Sequence, residues 1–314
     1  MAFRFALWGV VVAGCSGDAS APCSVAADCA SGICQANGVC GAVAGDVRES
    51  EFESEFESEF ESESESEFVA ESESESESET ASITCLPNHD GRITRAEVPI
   101  APELQATYLI AADAAFDTRG TAEGDPRWDL AQAFAGDTKV LVTTLDPAEM
   151  WFGTSFPTAT YATRLGADGD LLGVFRATDD GLYLQGVVSE QDGLMRTELS
   201  YAPPAKLLAY PLETSLSWTS TSTVTGLASG IATLATETYR GGVDARGVVA
   251  TPFADFDALR VVVNLDRWVA GVYYTELSHV FVTECFGTIA TLRSTAYATG
   301  PEFTTAVELR RLSP

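Results

Sequence analysis

The stretch 81–314 predicts an all-β fold, a curved antiparallel sheet forming a half-barrel or sandwich, and three observations carry that prediction. Asp-Gly dipeptides at 168–169, 180–181 and 192–193 recur at twelve-residue intervals, and Asp-Gly is a strong hairpin signal because both centres of a type I′ turn need positive φ. The runs between them have strand length and are rich in Val, Leu, Thr and Tyr, residues that suit a pleated surface. Few stretches repeat apolar residues at the helical period.

The elements follow in order. Strands are expected at 139–145 and 158–164, then a meander at 171–175, 182–188 and 194–201. Further strands fit 215–221, 231–239, 258–265, 271–275, 277–283 and 288–293, with one short helix near 128–135. The apolar residues often sit together instead of alternating, which predicts strands covered on both faces for part of their length. About 230 residues can bury a substantial core.

The chain ahead of this body divides by composition. Arg4 precedes the uncharged run 5–13, far shorter than the roughly 20 apolar residues of a membrane span, so it reads as the apolar part of a secretory signal. Val12, Ala13, Gly14 and Cys15 resemble the lipobox of bacterial lipoproteins. That resemblance implies a signal over 1–14, acylation of Cys15 at the head of segment 15–22, and a lipid anchor to the cell envelope. Ser16 resembles the residue found in lipoproteins sorted to the outer membrane. The alternative is an ordinary cleaved signal with Cys15 incidental. Seven cysteines are odd for an exported chain, and setting Cys15 aside leaves six, Cys23, Cys29, Cys34, Cys40, Cys85 and Cys285, which can pair in an oxidising compartment.

Segment 23–40 spaces four cysteines C-x5-C-x4-C-x5-C and is too short for an apolar core, so its order must come from cross-links. It resembles the small cysteine-rich module of the dickkopf N-terminal type, and its pairing stays open. Zinc is the rival reading, disfavoured because no Cys-x2-Cys pair or nearby histidine is present. Segment 41–80 is an acidic linker. Fifteen of its residues between 49 and 79 are glutamate, more than half of the formal net charge of −28. Such a block repels itself in helix or strand and predicts a disordered spacer. Phe52, Phe56, Phe60 and Phe68 leave a sticky, partner-binding or calcium-responsive segment as the alternative. This acidity, with no basic patch, argues against nucleic acid as a partner.

Within the body, Pro203-Pro204, the run 207–212, Trp218, the run 248–261 and the run 268–274 resemble uncharacterised exported bacterial proteins over roughly 137–295. The resemblance implies a half-barrel similar to periplasmic lipoprotein carriers. Trp218, Phe253, Phe256, Trp268, Tyr273 and Tyr274 are then candidates to line a concave face for an acyl chain or hydrophobic peptide, with ordinary core packing as the alternative. Asn88, Asp90, Arg92 through its carbonyl and Glu97 resemble ligands of an EF-hand calcium loop. Leu86 at the first ligand position supplies no side-chain oxygen and Pro99 stops a following helix, so a plain turn into a helical segment competes.

The only histidines are His89 and His279, and His279 lies in an apolar strand pattern that suits a hydrogen-bonded strand residue. Asp179-Asp180 falls in a turn, where turn chemistry accounts for it. No nucleophile elbow, zincin helix, phosphate loop or dinucleotide fingerprint occurs in the sequence. The expectation is a non-enzymatic envelope lipoprotein with a binding or structural role, without cofactor unless calcium binds. Its partners would be the membrane through the anchor and an envelope protein or hydrophobic ligand. The rival functions are a carrier of lipid in the β body and an envelope enzyme.

Overall fold

The computed structural model of the chain describes residues 85–121, 125–166 and 169–314. Cys15, the cysteines at 23, 29, 34 and 40, the acidic linker and Asp168 lie outside the described residues. The body is all-β, as expected. Its strands are β1 Gln105–Ala115, β2 Arg127–Asp129, β3 Thr138–Thr143, β4 Tyr161–Arg164, β5 Leu171–Thr178, β6 Gly181–Ser189 and β7 Glu198–Ala209. They continue as β8 Ser217–Ala228, β9 Ile231–Ala250, β10 Asp255–Val269, β11 Val272–Thr283, β12 Gly287–Arg293 and β13 Thr305–Ser313.

Twelve strands form one antiparallel path, β3-β1-β13-β12-β11-β10-β9-β8-β7-β6-β5-β4. Its two ends meet. The Leu145 N–H donates to the Ala162 carbonyl at 2.7 Å and the Ala162 N–H returns at 3.0 Å, so the sheet curls into a nearly closed barrel that leaves little free edge. β9 has 20 residues against 12 in β8, and β2 occupies the edge that this excess exposes, pairing in parallel with Val248–Ala250.

That pairing replaces the expected helix at 128–135. The Leu130 N–H donates to the Ala250 carbonyl at 2.8 Å, and Trp128 and Leu130 bury against the sheet, so tertiary contacts override the local pattern. Phe116, Trp128, Leu130, Phe134 and Phe303 cover the outer face of β10–β13. Trp128 meets Phe281 with ring centroids 4.9 Å apart. Covered thus outside and facing the lumen inside, β11 is buried at every residue from Glu276 to Thr283. A second outer cover, Phe152 and Phe156 from two short 3-10 turns, packs on Ala162, Leu172, Val174 and Val188.

The turns differ from the Asp-Gly reading. β5 and β6 join through Asp179-Asp180, since Thr178 pairs with Gly181 and Gly181 lies within the strand. Asp192-Gly193 sits in a longer loop whose neck is the bond from the Ser189 N–H to the Thr197 carbonyl at 2.9 Å. Two hairpins do have positive φ at both central residues, as type I′ requires, and they use Ser229-Gly230 (48° and 76°) and Ala270-Gly271 (49° and 80°). The prolines at 203 and 204 fall where both ladders of β7 are interrupted. Pairing with β8 ends at Ala202, and pairing with β6 covers Glu198–Ser200 and resumes at Ala205 after a register shift, so the missing N–H groups fall in a gap of both ladders.

Candidate functional site

One end of the barrel is crossed by a strap, residues 93–104. Ile93 bridges Leu212 after β7, the Glu97 carbonyl accepts from the Cys285 N–H at 2.8 Å between β11 and β12, and the Glu103 N–H donates to the Thr144 carbonyl at 2.8 Å after β3. These three holds are spread round the rim in the strand order. The strap is fixed by a disulfide between Cys85 and Cys285, 200 residues apart, as the cysteine count anticipates. A capping box turns the strap at Arg95–Glu97, where the Glu97 carboxylate accepts from the Thr94 N–H at 2.7 Å.

Beneath the strap lies a cavity of about 350 Å³, at the small end of the roughly 300–1,000 Å³ typical of ligand pockets. Its wall is largely apolar, with Phe175, Leu182, Leu208, Val282 and Leu312 from five strands or their ends and Val98, Pro99, Ile100, Ala101 and Leu104 from the strap. Tyr161 stacks on Phe175, ring centroids 5.0 Å apart and planes at 16°. Gln105 and Phe286 at the rim are exposed.

Polar groups enter this wall from several strands or their ends, among them Tyr108, Tyr210, Thr291 and Arg310. Tyr108 donates to the Thr288 carbonyl at 2.9 Å. The Tyr210 hydroxyl and Thr291 Oγ1 are buried with no hydrogen-bond partner, as is Arg310 Nε. Arg310 is 5 % exposed; its guanidinium lies 5.7 Å from the Tyr108 ring centre and has no hydrogen bond or ion pair among the described residues. Thr291 and Arg310 are directly paired across β12 and β13. Burial pushes the Arg310 pKa down, opposed by Glu308, yet an arginine stays charged at neutral pH. Burial raises the Tyr210 phenol to about 12, so it is a proton-bearing donor at any ordinary pH.

Toward the other end the lumen is filled. Arg267 Nε meets Glu237 Oε1 at 2.6 Å, Tyr239 donates to Glu237 at 2.6 Å, and Tyr274 donates to Glu276 at 2.7 Å. Glu276 also meets Arg293 at 3.6 Å, and this buried charge network floors the cavity, with Arg293 Nε and Glu308 Oε1 left without hydrogen-bond partners.

None of the six aromatic candidates lines the cavity. Trp218 packs over Gly241, where an added Cβ would come within 2.2 Å of the indole, and donates to the Lys206 carbonyl at 3.2 Å. Trp268 and Tyr273 stack on each other beside the β10–β11 turn, 54 % and 37 % exposed, and Tyr274 belongs to the charge network. Phe253 and Phe256 join Phe286 in an outer cluster, and Phe256 lines a second hollow of about 210 Å³ with His89 and Asp257.

The calcium candidates do converge, but onto one another. The Asn88 amide donates to Glu97 at 2.7 Å, Asp90 accepts from the Arg92 N–H at 2.8 Å, and Glu97 is engaged in the capping box. No cluster of three or more metal-binding side chains occurs among the described residues. His279 is fully buried, with Nε2 2.9 Å from the Pro301 carbonyl; burial and the nearby Arg260 lower its pKa.

The cavity residues Tyr108, Tyr210, Thr291 and Arg310 were not singled out from the sequence. One signal did exist. Adjacent residues of a strand point to opposite faces, so Arg310-Arg311 in the run TAVELRRLS must send one cation inward. No family model matches the chain, and comparison with curated proteins and with solved structures returned no match.

Proposed function

We propose that the chain is a non-enzymatic lipoprotein of the cell envelope, anchored through Cys15, whose barrel binds a small hydrophobic ligand beneath the strap. The anchor rests on the residues Val12 to Cys15 and on the six remaining cysteines. The binding role rests on the cavity, an apolar hollow with a few polar groups on its wall, which is the composition of a small-molecule site. Its described lining holds no carboxylate or imidazole to carry a proton at neutral pH, and its cysteine is in a disulfide, which favours binding over chemistry.

Mass spectrometry of the exported chain, run under native and denaturing conditions, tests both parts. The expected denatured mass is that of a chain starting at acylated Cys15, with Cys15→Ala losing the acyl mass and leaving the membrane fraction. The native mass should carry an additional small apolar adduct, absent from Ala106→Phe, which fills the cavity from β1. A Cys15→Ala chain that stays acylated refutes the anchor. A wild-type chain that neither carries an adduct nor takes up a fluorescent apolar probe refutes the carrier.

A further inference from the structure

Arg310 and Arg311 are neighbours with opposite fates. Arg311, fully buried on the covered outer face, receives both oxygens of Asp137 at 2.8 and 2.6 Å and the Gln132 carbonyl at 3.1 Å. Arg310, on the lumen face, donates no hydrogen bond among the described residues; its guanidinium faces the Tyr108 ring, and the Glu308 carboxylate two residues away offsets part of its charge. A buried cation without a hydrogen-bond partner is unfavourable, and two hydroxyls of the same cavity, Thr291 directly across the ladder from Arg310 and Tyr210 elsewhere on the lining, are also left without partners. Three unsatisfied groups of one cavity, one of them a permanent cation and two of them hydroxyls, form the complement of a single anionic oxygen head.

We infer that Arg310 is the head-group anchor of the barrel, and that the ligand is a single-tailed amphiphile whose anionic carboxylate sits on Arg310 and whose tail fills the apolar wall. This rests on the binding role proposed above and names its ligand class. The planar guanidinium offers paired donors that match a carboxylate. Thr291, across the ladder, supplies a hydroxyl to the same head. The Tyr210 phenol adds another donor from the far wall. The cavity volume limits the tail to a short or medium chain, since the charge network closes the lumen below.

The test compares decanoate with decanol, equal tails bearing charged and neutral heads, by calorimetric titration of the folded chain at neutral pH. Decanoate should bind roughly tenfold or more tightly than decanol, the range expected of a charge-assisted hydrogen bond. Arg310→Met, an apolar side chain of similar length, should remove that preference while keeping decanol binding. Thr291→Val should reduce the preference severalfold and keeps the question open to decision if Arg310→Met does not fold. Equal affinity for the two ligands, or a preference unchanged in the variants, overturns the anchor and leaves the apolar carrier standing. Failure of both ligands to bind wild type removes the anchor and the carrier together.

Discussion

At the scale of single residues, the pair Arg311 and Asp137 shows what a buried cation requires here. The guanidinium holds the Asp137 carboxyl below its ordinary value near 3.8, so this acid stabilises the fold fully above that value and its contribution is lost as pH falls through the lower folded one. Removing the acid at neutral pH leaves Arg311 buried without a counter-charge, held by the Gln132 carbonyl and the Phe134 ring. Asp137→Ala should therefore cost about 3 kcal/mol, the lower end for breaking a buried pair, since the Asp137 side chain keeps 18 % exposure. Urea denaturation at pH 7 measures the loss, and a loss below about 1 kcal/mol, the level of an exposed pair, would show that water reaches Arg311.

At the scale of elements, what could be read from the sequence follows the hydrophobic pattern, and what could not follows the wrapping. β5 and β6 were plain in the runs 171–175 and 182–188, because each alternates or clusters apolar residues between turn residues. β1 and β13 were missed. Glu308, Arg310 and Arg311 interrupt β13, and only a barrel that buries both strand faces makes three charges compatible with a core position. The runs 271–275 and 277–283 form one strand, β11, because Glu276 between them points into the lumen and meets Arg293 at 3.6 Å. The true type I′ turns escaped notice since Ser and Ala occupy their first positive-φ position, where Asn or Asp is the usual marker. The site was the least visible part, as its residues come from segments distant in the chain and the strap assembles them. Replacing Cys85 and Cys285 together by Ser should lower stability by as much as about 4–5 kcal/mol by loop entropy. Thermal unfolding of the oxidised and Ser-substituted chains gives that difference, and equal midpoints would mean the strap's hydrogen bonds suffice.

For the molecule as a whole, the tyrosines of the lumen set an alkaline limit. Burial raises Tyr108, Tyr161, Tyr201 and Tyr239, and brings Tyr210 to about 12, whereas the unfolded chain ionises its phenols near 10. Groups whose folded pKa is raised stabilise the fold fully below the unfolded value and lose that contribution as pH rises through the folded one. Stability should therefore fall steadily from about pH 10 upward, and phenolate absorbance should climb in step with loss of the near-ultraviolet circular dichroism signal. Complete phenolate formation in a chain that keeps that signal would place these side chains in contact with water.

The covalent link at the rim has a mechanical meaning as well. Tension reaching the body from the preceding chain arrives first at Cys85, and the sulfur bond passes it to the turn between β11 and β12, inside a continuous sheet. The hydrogen bonds of Ile93 and Glu103 lie beyond that junction and bear none of the load. Under the anchoring proposed above, the barrel could be pulled through that chain without its mouth being drawn open.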